Sequence, residues 1–426
     1  MILIKISRNV RERFIIKVLV VGSGVREHAI VENISKEAKI FNYGDCQNPG
    51  IKKLSLKYKI DPFLSKRKIV DFAIKERIDI AVIEYENLLF DGVTNDLNRA
   101  GIFTCNVTRE ASILEKNIIF TKNLMKEINP KMLPSNILVT SYAELMRKTE
   151  KVHGNLVLLD IKTGTRIILK KENISTMKKY FYGSKNGLLI EDWITGKEFS
   201  IYCFTDGKNY IFSCPIVNYP FLDETSLIKT GGMGSVGSGE KTLPFLKRKD
   251  YEHCCSIIKK VIKMMDKRDI LYNGTLCGQF IITPSQDVFF IEFDVRQGDT
   301  EITNFLVNLE TSFLDLILSI SNNNIKNLSL KMNKMKSITM AIVPPNYPCK
   351  IENVRYRIRE DLIKKYGNEL FFGKTYQKAY SYFTTKSRTL AIMGRGNDYE
   401  EIRTKVMKSA EQFSPTLYFR RDVGIL

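Results

Sequence analysis

The segment ending in Glu301 restricts this chain more than any other. An Ile/Phe-rich strand closes on Ile291-Glu292-Phe293-Asp294, and Val295-Arg296-Gln297-Gly298-Asp299-Thr300-Glu301 follows at once. Side chains at i and i+2 of a strand share a face, so Glu292 and Asp294 stand side by side. An arginine and two more acids come next. Carboxylates this dense among apolar residues are costly to bury unless positive charge compensates them. A divalent metal held between such oxygens and nucleotide phosphates meets that need.

A second constraint lies near the start. Lys17 to Val21 reads as an apolar β-branched strand, Gly22-Ser23-Gly24 as a turn, and Arg26 to Glu32 has helical spacing. Strand, glycine turn and helix open a nucleotide-binding α/β unit, whose free helix N-terminal amides suit phosphate. Strand and helix signals alternate onward to residue 112, which predicts a parallel sheet.

Beyond it, a helix is expected over Glu115 to Glu127. Short strands around one helix, Ser141 to Lys148, then form a small mobile lid. Glu198 to Phe212 reads as a strand pair and Tyr251 to Met265 as a helix. Gly278 to Ile291 reads as a hairpin and Leu306 to Ile320 as one helix. The fold class is thus multidomain α/β and α+β. Its expected parts are a 1–16 extension, a 17–112 α/β domain, a 113–190 lid subdomain, a 191–325 core and a 326–426 α+β domain.

Composition excludes several classes. At 426 residues and 44% apolar the chain can bury large cores. No apolar run reaches the ~20 residues of a membrane helix. The basic, apolar first residues lack the pattern of a signal peptide. Net charge is +19, but the lysines are scattered and no aromatic-basic interleaving occurs, which argues against a nucleic-acid partner. Eight cysteines include no CxxC pair, so reduced thiols in a cytoplasmic protein are expected. Three histidines are too few to favour a histidine metal site.

The motifs, in their order, resemble those of the phosphoribosylamine–glycine ligase (glycinamide ribonucleotide synthetase) family of ATP-grasp enzymes, from about Lys17 to Gly424. Gly22-Ser23-Gly24-Val25-Arg26-Glu27-His28-Ala29 is similar to its G-x-G-G-R-E-H-A. Asn48-Pro49-Gly50-Ile51 and Glu86 match further substrate segments. Glu191-Asp192-Trp193-Ile194-Thr195-Gly196-Lys197-Glu198 resembles the hinge that holds adenine and ribose. Thr230-Gly231-Gly232-Met233-Gly234 matches T-G-G-M-G, and Ile291 to Asp294 matches I-E-F-N.

The resemblance implies an ATP-grasp fold with an N-terminal parallel-sheet domain, a mobile lid and a C-terminal α+β domain. It implies metal oxygens from Glu292 and Asp294, with Gln279 a third candidate, and Mg2+ or Mn2+ as the ion. ATP would meet Glu191, Trp193, Ile194 and Glu198. The substrate set is Gly22, Gly24, Arg26, Glu27, His28, Asn48, Gly50, Glu86 and Thr230, Gly231, Gly232, Met233 and Gly234. The catalytic set is Arg296, Asp299 and Glu301.

Departures concern the ATP phosphates. The family's L-E-G-S-K segment is Leu114-Glu115-Lys116-Asn117-Ile118 here, with the lysine displaced. Its glycine-rich K-A-D-G loop is shortened around Lys162 and Arg166, which become the candidates for that work. The expected activity joins glycine to 5-phosphoribosylamine through glycyl phosphate, in a monomer or homodimer. An ATP-grasp ligase for another carboxylate and amine, or a catalytically impaired nucleotide-binding relative, are the alternatives.

Overall fold

The structure is a computed structural model that describes residues 15–149, 155–161, 166–170, 174–183, 187–348 and 355–426. Its first sheet contains β1 (Lys17–Val21), β2 (Lys39–Gly44), β3 (Ser55–Ile60), β4 (Ile80–Ile83) and β5 (Phe103–Thr104). All pairings are parallel, in the order β3-β2-β1-β4-β5. Strands β1 and β4 are buried almost throughout, which explains their unbroken β-branched sequences. The order reverses between β1 and β4, so the crevice beyond their carboxyl ends is the natural ligand site. The helix α1 (Val25–Ile34) starts there, directly after the Gly22–Gly24 turn.

A separate antiparallel sheet contains β6 (Asn136–Val139), β7 (Asn155–Asp160), β8 (Arg166–Lys170) and β9 (Leu188–Asp192), in the order β6-β9-β7-β8. The sequence predicts one helix beside it, but two are present, Tyr142–Thr149 and Ile174–Gly183. The second is rich in β-branched and aromatic residues, which disguises it. Tertiary contact decides: Phe181 packs on the sheet's apolar cluster and lies 6.0 Å from the Tyr142 ring.

The largest sheet holds β10 (Lys197–Thr205), β11 (Tyr210–Phe212), β12 (Ile216–Asn218), β13 (Gly234–Gly237), β14 (Gly274–Ile282), β15 (Val288–Asp294) and β16 (Lys336–Val343). Later strands are β17 (Arg357–Ile358), β18 (Leu370–Phe372), β19 (Thr375–Lys378), β20 (Ser381–Thr384), β21 (Leu390–Gly396) and β22 (Tyr418–Phe419). The order is β15-β14-β10-β12-β13-β16-β21-β18, with β11 beside β10 and β22 beside β16. Strands from both sides of residue 326 therefore share one sheet, joined where β13 pairs with β16. A small sheet, β17-β20-β19, completes the C-terminal part.

Two helices predicted as continuous are broken. Asn117 interrupts the first, separating Ile113–Lys116 from Ile118–Ile128, and its side chain accepts from Phe120 N. Ser312 caps Phe313–Ser321 by accepting from Asp315 N, which separates it from Glu301–Asn308. Short polar side chains favour helix starts over helix interiors, and here they override the apolar periodicity. The seven described cysteines are all free thiols. Among the described residues no helix is long and apolar enough to cross a membrane.

Candidate active site

The carboxyl ends of β1 and β4 open onto a cavity of about 250 Å3. Gly24 and Glu86 line it from the first sheet, and Gly231, Arg296 and Asp299 from the loops of the largest sheet. Lys374 and Arg388 reach it from the C-terminal part. Three motifs distant in sequence thus converge on one space.

Charges alternate around it. Arg296 Nε donates to Glu86 Oε2 at 3.1 Å, and its Nη2 lies 3.9 Å from Glu115 Oε1. Burial works to raise the Glu86 carboxyl, but the Arg296 and Arg26 guanidiniums more than offset this, so it sits below its ordinary range. Burial pushes Glu115 up to about 8, with Arg296 opposing and Asp294 adding. Arg388 donates from Nη1 to the carbonyls of Gly232 and Asp299, both at 3.1 Å. Asp299 Oδ1 is buried with no hydrogen-bond partner in the described chain.

Gly232 has φ +104°, and a Cβ there would lie 2.6 Å from Asp299 O. Only glycine lets the 230–234 run turn this tightly against the acid loop. Thr230 Oγ1 holds the turn by accepting from Gly232 N at 3.1 Å, Met233 is fully buried, and Gly234 begins β13.

The carboxylate pair lies on an adjacent sheet face. Opposite residues on antiparallel strands share a face. Ser200 of β10 faces Gln279 of β14, which faces Glu292 of β15. Gln279 Nε2 donates to Asp294 Oδ2, which leaves its amide oxygen to the same face. Burial pushes the Asp294 carboxyl up, Arg296 opposes this and Glu292 reinforces it. A buried carboxyl beside a second carboxylate is a set of adjacent oxygen donors, with Arg296 and Lys229 as its nearby cations. It fits a divalent cation that also takes phosphate oxygens. Among the described residues no group of three or more His, Cys, Asp or Glu could hold a metal by itself.

The hinge runs from β9 into β10. Glu191 is buried, and Trp193, Ile194 and Glu198 are half-buried. The Trp193 ring meets Phe221 edge-on at 5.7 Å, and both pack on an apolar cluster formed by Ile118, Val157, Leu159 and Leu189. That cluster packs the small sheet against the hinge and the loop that carries Phe221. Lys122, which the sequence did not single out, is 2% exposed. Its Nζ lies 2.7 Å from Glu191 Oε1 and donates to Ile291 O at 3.2 Å. It therefore ties the hinge to the strand that carries Glu292. Arg166 begins β8, paired with Leu159, and Lys162 lies outside the described residues.

Several predicted substrate residues, and Glu301 of the predicted catalytic set, also make contacts within the fold. Arg26 lines the cavity, but its guanidinium donates to Glu27 Oε1 at 3.0 Å, to Gln297 O at 2.9 Å and to Glu84 O. Glu27 accepts from Gly24 N at 2.5 Å, closing the start of α1. His28 points into the core. Its Nδ1 accepts from Phe372 N at 2.8 Å, and burial lowers its pKa to about 4. A Cβ on Gly50 would lie 2.0 Å from His28 Nε2, so Gly50 serves that close approach. Asn48 caps the next helix through Ile51 N and donates to Phe372 O at 2.7 Å. Glu301 starts its helix beneath Gly298, 3% exposed and outside the cavity lining, and burial raises its pKa to about 7. The same signals account for both outcomes: local motifs mark the loops, and only burial separates a loop's scaffold from its contact residues.

A small antiparallel sheet, a strand pair carrying two carboxylates in a larger antiparallel sheet, and a parallel-sheet domain before them make the architecture of ATP-grasp ligases, and this is the class of the protein. Family models agree. The phosphoribosylglycinamide synthetase N domain matches residues 16–115 and its ATP-grasp domain matches 117–302. The phosphoribosylamine–glycine ligase of Pyrococcus furiosus is 30% identical over 423 residues, 96% of this chain and 94% of that protein. That of Methanothermobacter thermautotrophicus is 29% identical over 429 residues, 96% of each. The crystal structure of the Thermotoga maritima ligase shares the fold with a TM-score of 0.74 at 21% identity, covering 96% of this chain and 100% of that one. The chain belongs to the phosphoribosylamine–glycine ligase family.

Proposed function

We propose that the chain joins glycine to 5-phosphoribosylamine with hydrolysis of ATP to ADP and phosphate, giving glycinamide ribonucleotide, a step of purine biosynthesis in the cytoplasm. The glycine carboxylate attacks the γ-phosphate of ATP, forming glycyl phosphate and releasing ADP. The amine of phosphoribosylamine then attacks the acyl carbon, and phosphate leaves. No side-chain nucleophile is required, so positioning and charge neutralisation carry the rate.

Glu292 and Asp294 would hold Mg2+, with Gln279 orienting Asp294. The ion supplies neutralisation of charge on the transferred phosphoryl group. Arg296 stands over the cavity to stabilise the negative charge that develops on the acyl phosphate. Asp299 Oδ1, buried and without a hydrogen-bond partner among the described residues, accepts from the incoming amine. Lys374, Arg388 and the Gly22–Gly24 turn border the same cavity and suit the ribose phosphate. The hinge Glu191–Glu198 and the Trp193–Phe221 cluster receive adenine. The β6–β9 sheet excludes water from a hydrolysable intermediate.

The observation that carries this reading is the convergence of Gly24, Gly231, Arg296 and Asp299 on one cavity beside the carboxylate pair. Its test is Glu292→Ala and Asp299→Asn, followed by mass detection of glycinamide ribonucleotide. Loss of product with an unchanged circular dichroism spectrum supports the assignments. Near-normal product from Glu292→Ala sinks the metal role, and from Asp299→Asn the amine role.

A further inference from the structure

Lys229 stands beside the carboxylate pair and no motif accounts for it. Its Nζ donates to Glu292 Oε1 at 2.7 Å. The backbone beneath it is fixed: residue 229 bridges to Phe221, and Thr230 N donates to Pro220 O at 2.7 Å. The side chain itself is 30% exposed, so its ammonium keeps access to solvent. Lys122, the other lysine nearby, is by contrast locked at 2% exposure against Glu191.

An ammonium and a divalent cation compete for one carboxylate oxygen. Mg2+ needs its oxygens at roughly 2.1 Å, and an ammonium left in hydrogen-bond contact there would face two like charges unscreened. Lysine is a compact charge on a flexible four-carbon stem, able to change partner without moving its backbone. A nucleotide polyphosphate arriving with the metal offers the displaced ammonium new anionic oxygens within the same site.

We propose that Lys229 is an exchangeable counter-ion: it holds Glu292 in the free protein, yields that oxygen to the metal, and turns to the terminal phosphates of the nucleotide. The proposal rests on the reading of Glu292 as a metal oxygen. It makes Lys229 a phosphate ligand supplied from the edge of the glycine run, and it couples nucleotide binding to metal binding through one side chain.

The test uses the full chain with Lys229→Met, Lys229→Arg and Glu292→Gln. Mn2+ is titrated without nucleotide by electron paramagnetic resonance, and MgATP and AMP are titrated by calorimetry. Lys229→Met is expected to bind Mn2+ roughly tenfold tighter and MgATP roughly tenfold weaker, the worth of one charged hydrogen bond, with AMP unchanged. Lys229→Arg is expected near wild type in both. If only one affinity shifts in Lys229→Met, or neither does while Glu292→Gln loses Mn2+, the counter-ion role is overturned and the metal reading stands. If Glu292→Gln keeps wild-type Mn2+ affinity, the metal reading fails and the proposal fails with it.

Discussion

Arg388 Nη2 donates to Asp299 Oδ2 at 3.0 Å, joining residues 89 positions apart. The same guanidinium holds Gly232 O and Asp299 O. One side chain therefore fixes the glycine run against the acid loop. Arg388→Ala frees Asp299 and leaves two carbonyls without their donor. We predict a fall in kcat/KM for ADP release of about 100-fold, equivalent to the loss of one or two charged hydrogen bonds. Arg388→Lys should recover only part of this, because an ammonium cannot reproduce the fork.

Gly232→Ala tests the same contact from the other side. A Cβ at φ +104° both strains the backbone and meets Asp299 O. A cost of about 1–3 kcal/mol is expected. Denaturant titration should show that loss, and activity should fall further than stability does, since the strain is released by moving the loop that holds Asp299.

Lys122 and Glu191 form an ion pair in which each side chain is 2% exposed. Lys122→Met strands a buried carboxylate and should cost about 3–5 kcal/mol. The double variant Lys122→Met with Glu191→Leu should recover most of that loss in stability while ATP binding stays impaired. Recovery of both together would show that the pair has no part in the nucleotide site.

His28 gives the fold an acid limit. Burial lowers its pKa from 6.5 to about 4. Between those values the unfolded chain binds a proton that the folded chain does not, so stability rises with pH across that window and is lost as pH falls through it. The shift corresponds to about 3 kcal/mol. Urea midpoints measured from pH 4 to 7 should differ in slope between the wild type and His28→Gln by the His28 contribution, on top of the opposite slope from the raised carboxyls of Glu115 and Glu301, even though the variant is less stable at pH 7.

The local signals were legible where structure is local. The β1 strand, the glycine turn and α1, the Gly278–Ile291 hairpin and the carboxylate pair all follow from short-range pattern. What escaped was set by long-range contact. His28 sits inside a substrate-like motif, yet its partner is Phe372, 344 positions away. Lys122 looks like any lysine of an amphipathic helix until β9 and β15 enclose it. Arg388 and Lys229 carry no local pattern at all. The second lid helix, Ile174–Gly183, has a strand-like composition that packing overrules.

The most direct test of the account is ADP release with Mg2+ and ATP, in the presence of glycine and freshly generated 5-phosphoribosylamine, with each omitted in turn. The account predicts turnover only when both are present, and its loss in Glu292→Ala. Turnover independent of either substrate, or no turnover from folded protein that still binds ATP, would contradict it.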